Sequence, residues 1–89
     1  MKIRELLTDE SKWTKRFYAV DSNGEPLPPR SENAVSWCIL GAINKCYTTE
    51  EFVDLYLKMA LHLGVASLVS WNERATFQDV RTLVESLDI

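Results

Sequence analysis

The chain has 89 residues, 46% of them hydrophobic and 26% charged, which is the balance of one small globular domain and excludes disordered, collagenous and fibrous chains. Ten Lys and Arg against thirteen Asp and Glu give a net charge of −3, too little for an acidic mimic of DNA and the wrong sign for a protein that neutralises phosphates. Three basic residues cluster in Lys12-Trp13-Thr14-Lys15-Arg16, a thin patch that a solvated surface explains, so nucleic acid is not expected as a partner.

Ile3, Leu6 and Leu7 give a short helical face over roughly residues 2–11. No apolar segment follows Met1-Lys2-Ile3-Arg4-Glu5, so export is not expected and the expected location is the cytoplasm. No uncharged run is long enough to cross a bilayer, so no membrane is expected either. Phe17-Tyr18-Ala19-Val20 is aromatic and β-branched and reads as an extended segment or short strand. Asp21-Ser22-Asn23-Gly24 is a turn in which glycine supplies positive φ; it lacks the later ligands of a calcium loop. Pro26-Leu27-Pro28-Pro29 is an extended connection. It resembles an SH3 ligand only superficially, and a rigid lead into a helix explains it. Residues 12–30 therefore form an irregular strap with room for one short β-hairpin.

Ser31 and Glu32 predict a helix start, with a buried helix over about 32–46. Ala34, Cys38, Ala42 and Cys46 make a small-residue stripe on it, and Trp37, Leu40, Ile43 and Tyr47 a large one. Cys38 and Cys46 would lie about 12 Å apart along such a helix, too far for a disulfide. Two cysteines and one histidine do not close a zinc site, so neither metal nor cofactor is expected. Cys38 with His62 as base is a conceivable nucleophile pair. An apolar helix centre raises a thiol pKa, however, which favours a structural cysteine.

Thr48 and Glu51 form a capping box for a helix over about 49–63, with Gly64 closing it. Phe52, Leu55, Tyr56, Met59, Ala60 and Leu63 follow helical spacing, and Val53, Leu57 and Leu61 widen the apolar face. Asp54 and Lys58 are correctly spaced for an ion pair on its polar stripe. Val65 to Trp71 reads as a helical turn or a strand, and Asn72-Glu73-Arg74-Ala75 as a polar loop. Thr76 and Asp79 form a second capping box for the last helix, whose apolar face is Phe77, Val80, Leu83, Val84 and Leu87. The expected fold class is mostly α: about four helices around one small core, behind the strap.

Two motifs occur together. One is Trp37-Cys38-Ile39-Leu40-Gly41-Ala42-Ile43. The other is Ser67-Leu68-Val69-Ser70-Trp71-Asn72-Glu73, followed by Thr76 and Asp79-Val80. With Trp13 and the Asp21 to Gly24 turn ahead of them, the chain resembles an uncharacterised family of small bacterial and phage proteins, domain of unknown function 6197. Glu73 stands where that family usually has Asp, which keeps the carboxylate. The resemblance implies a small, mostly helical domain and no activity.

The most pointed cluster is Trp71, Asn72, Glu73, Thr76 and Asp79. Exposed, it would be a recognition patch. Folded inward, it would be a joint in which Asn72, Thr76 and Asp79 cap backbone groups and Trp71 packs. Three tryptophans would line a pocket or, as small domains commonly require, staple the strap to the helices. No convergent Ser or Cys, His and carboxylate motif is present, so an enzyme is not expected. The broad apolar face over 49–63 makes a non-enzymatic protein-interaction module the leading expectation, with a protein partner or self-association. A small nucleic-acid-associated regulator is the alternative, although the last helix carries only Arg81 as a base.

Overall fold

The buried side chains of an N-terminal turn and four further helices meet in one core. The computed structural model describes residues 1–89. Helix α1 is a single turn, Ile3–Leu6, followed by a 3-10 turn at Glu10–Lys12. Strands β1 (Ala19–Val20) and β2 (Ser36–Trp37) follow. Then come α2 (Ile39–Cys46), α3 (Thr49–Leu63), α4 (Leu68–Arg74) and α5 (Phe77–Leu87). The mostly helical class and the strap are as the sequence implies. The first helix is shorter than residues 2–11, because Asp9 accepts from the Ser11 N–H and starts a separate turn.

The helix expected over 32–46 begins seven residues late. Ser31 does cap, but it caps a turn: its Oγ accepts from the Asn33 N–H at 3.2 Å, and the Ala34 N–H returns to its carbonyl at 3.1 Å. Residues 35–38 then serve the strap. Ala19 pairs with Trp37 and Val20 with Ser36, antiparallel. Val35 N–H bonds Val20 O, and Cys38 N–H bonds Tyr18 O. The buried backbone of β1 needs partners, and a β-branched, aromatic run supplies them better than a helix could. The strap's own short pairing is a single bridge, Val20 to Pro26, around the Asp21 turn with Gly24 at φ 80°. The small stripe is thereby cut: only Ala42 and Cys46 lie on α2, and Trp37 is a strand residue.

Helix α3 has the expected bounds. Glu51 N–H donates to Thr48 Oγ1 at 3.2 Å, and Thr48 N–H to Glu51 Oε1 at 2.9 Å. Gly64 closes it at φ 68°, a conformation cheap only for glycine. The expected Asp54–Lys58 pair does not form; the ion pairs are Lys2 and Arg4 with Asp88, and Arg81 with Glu85. Central α2 packs on α1, α3, α4 and β2, while α5 closes against α1. Ile3, Leu7, Ile39, Ile43, Met59, Leu68, Val80 and Val84 are fully buried between them.

Candidate functional site

Asn72 is the centre of the cluster singled out above. It lies on α4, not in a polar loop, because Ser67 caps a helix that runs through Arg74. Its side chain is 2% exposed and uses its full hydrogen-bonding capacity. Oδ1 accepts from the Trp13 indole N–H at 2.9 Å and from the Ile39 N–H at 3.1 Å. Nδ2 donates to the Thr14 and Lys15 carbonyls at 3.3 and 3.2 Å. One amide thus ties α4 to the strap and to the first turn of α2, where Ile39 is otherwise an orphan donor.

The remaining members diverge. Trp71 is buried and lines a groove of about 290 Å³ beside His62, Asp79 and Thr82. Glu73 is exposed at a shallow concavity with Lys15, Arg16 and Phe17. Thr76 and Asp79 close a capping box: Asp79 N–H donates to Thr76 Oγ1 at 3.1 Å, and Thr76 N–H to Asp79 Oδ2 at 2.9 Å. That bond commits the Asp79 carboxylate, which is the acid sharing the groove with His62.

The first motif serves the same joint. Cys38 is the N-cap of α2, not a mid-helix residue, and its Sγ accepts from the Gly41 N–H at 3.3 Å. Burial pushes the Cys38 thiol up despite that bond. Burial likewise pushes Cys46 up to about 11. Both cysteines are free thiols. Gly41 faces the strap so closely that an added Cβ would sit 1.7 Å from Tyr18 O. Trp37 is buried, and its indole N–H donates to Pro29 O at 2.9 Å. Trp13 and Trp37 thus staple the strap to the rest of the fold, while Trp71 packs in the core from α4. No three His, Cys, Asp or Glu side chains converge as metal ligands.

Sequence reasoning missed two arginine clamps. Arg30 donates to Asn44 O and Tyr47 O, both at 2.9 Å, at the end of α2. Arg81 donates to Arg4 O at 2.7 Å and Leu7 O at 3.2 Å, at the end of α1. A basic residue 14 or more positions from its carbonyls leaves no local signal.

Outside the joint, the outer face of α3 carries three exposed aliphatic side chains. Val53 is 60%, Leu57 53% and Leu61 82% exposed. They stand one turn apart on one row. Beside the row, Val53 lines a concavity of about 250 Å³ with Arg30, Tyr47 and Phe52.

No curated protein and no solved structure matches this chain. A family model matches residues 1–87, covering both motifs and every partner of Asn72, and the chain belongs to that family, the family of unknown function DUF6197.

Proposed function

We propose that the protein is a non-enzymatic interaction module whose contact surface is the outer face of α3. The observation that supports this is the row Val53, Leu57 and Leu61. Eighteen residues, from Ile3 to Ile89, share one buried cluster, yet three large aliphatic side chains stand in water on a single helix. Contiguous exposed apolar surface of this kind is costly to keep and marks contact sites. The joint around Asn72 then has a scaffolding role: it fixes the strap and α4, and so holds α2 and α3 in place. The thiols, raised by burial, and the committed Asp79 carboxylate offer poor nucleophiles and bases, in keeping with a binding role.

Site-specific photo-crosslinking in the native host tests this. A crosslinker at Leu61 should capture a discrete protein product, with none from Ser22 on the exposed strap turn. Equal yields from the two positions would reject the α3 face as a contact surface.

A second reading rests on the strap. Lys15, Arg16, Phe17 and Tyr18 are all exposed on a segment that Asn72 pins by its carbonyls. Cations next to exposed aromatics suit single-stranded nucleic acid. Anisotropy titrations with short oligonucleotides test it: binding that falls steeply with salt and weakens in Arg16→Ala would favour it over the protein contact.

A further inference from the structure

We infer that the partner of the α3 face is a second copy of this chain, docked antiparallel about a two-fold axis passing Leu57. This rests on the α3 face being the contact surface. The inference comes from the row beside the apolar one. Glu50, Asp54, Lys58 and His62 also stand four residues apart and are all exposed. In order they are acid, acid, base, base. Such a row is complementary to itself only when reversed.

The register follows from the helical rise. When two copies of α3 cross antiparallel at Leu57, Val53 meets Leu61 of the other copy and Leu57 meets Leu57. A two-fold axis of this kind keeps the charged rows of both copies on the same side of the pair. At 1.5 Å per residue, Asp54 then lies about 3 Å along the axis from Lys58 and from His62 of the other copy. Glu50 lies about 3 Å from that same His62. A parallel two-fold pairing would carry the two charged rows to opposite sides of the seam, where neither meets the other, so only the antiparallel pairing gains from them. The side chains are available: none of the four is engaged in an ion pair within its own chain. Asp54 and Lys58 sit at the spacing that usually pairs along one helix, and they remain apart. The apolar row supplies the attraction, and the charged row sets direction.

One helix face per copy is a small contact, so the dimer is weak and concentration-dependent. Sedimentation equilibrium of the full chain should show a monomer–dimer equilibrium below about 1 mM. Leu57→Asp should weaken it more than about tenfold, a change of about 1.4 kcal/mol. Two charge variants test the register: Glu50→Lys with Asp54→Lys, and Lys58→Glu with His62→Glu. Each should be monomeric alone, and an equimolar mixture should form a heterodimer. Circular-dichroism melts confirm that these exposed substitutions leave the fold intact. A wild-type chain that stays monomeric up to 1 mM overturns the self-partner, while a product captured at Leu61 in the host would still support the α3 face. A wild-type dimer whose charge variants self-associate equally well overturns the antiparallel register.

Discussion

The Trp13 indole N–H donates to the Asn72 amide oxygen at 2.9 Å across 59 positions of sequence. That bond ties the N-terminal strap to α4. Asn72 also holds the Ile39 N–H and two strap carbonyls. A buried network in which every member is satisfied is stable as a unit, and costly once one member is lost.

Asn72→Ala should therefore destabilise the protein by about 3 kcal/mol or more, since it strands two donors and two acceptors. Asn72→Asp should be no milder, because a carboxylate would face the Thr14 and Lys15 carbonyls. Trp13→Phe removes only one donor and keeps the packing, so it should cost about 1 kcal/mol. Chemical denaturation of the three variants checks the ranking. If Asn72→Ala melts with wild type, the joint is not structural.

Gly41→Ala should be among the most damaging single-methyl changes available. Its Cβ would fall 1.7 Å from Tyr18 O and 2.6 Å from Tyr18 C. Both are backbone atoms and cannot swing away. Separating β1 from α2 to make room would also stretch the Cys38 N–H to Tyr18 O bond. The cost should be about 3 kcal/mol or more, with loss of soluble expression as the first sign. A Gly41→Ala melt within a few degrees of wild type would contradict the close approach.

Legibility in the sequence followed the range of the interactions. Both capping boxes, Thr48 with Glu51 and Thr76 with Asp79, are local, and α3 and α5 were readable from them. The surplus breadth of α3 at Val53, Leu57 and Leu61 was readable from spacing alone. Ser31 misled because a side-chain cap serves a turn as readily as a helix. Ser36 and Trp37 joined the sheet because the strap's buried backbone outweighed the helical pattern around them. Asn72 could be flagged by its motif but not understood. Its partners lie at residues 13–15 and 39, and no periodicity links them. The same distance hid the Arg30 and Arg81 clamps.

Thr76→Ala should cost about 1 kcal/mol and Thr76→Ser nearly nothing, because the hydroxyl accepting from Asp79 N–H is what α5 needs. The helix has 11 residues, short enough to be marginal without its cap and packing. Hydrogen exchange should localise the loss to the first turn of α5. Protection lost evenly over α4 and α5 would mean that Thr76 does more than cap.

Native thiols should react slowly. Cys46 is raised from 9.0 to about 11, so its thiolate is about a hundredfold scarcer than that of a free cysteine at neutral pH. Cys38 is shifted in the same direction by burial. Alkylation by iodoacetamide should be slow in the folded chain and rise sharply in denaturant. Rapid modification of Cys38 in the folded protein would reopen the nucleophile reading.

Asp88 makes a prediction about acid. It caps α5 in the left-handed region at φ 55°. Its Oδ1 lies 2.8 Å from Lys2 Nζ and 2.9 Å from Arg4 Nη2. The hydrogen bond and charge of Lys2, then the charge of Arg4, hold its carboxyl below the ordinary 3.8. A carboxyl with a depressed folded pKa binds protons more readily when unfolded. It therefore adds stability above its unfolded pKa and loses it as pH falls through the folded one. Asp88→Asn, which tolerates the same backbone conformation, should melt slightly below wild type at pH 7 in low salt. The difference should shrink in high salt, because both partners are well exposed. It should vanish as pH drops below 3.8 toward the folded value. A gap that persists unchanged at low pH would mean that backbone geometry, not charge, makes Asp88 matter.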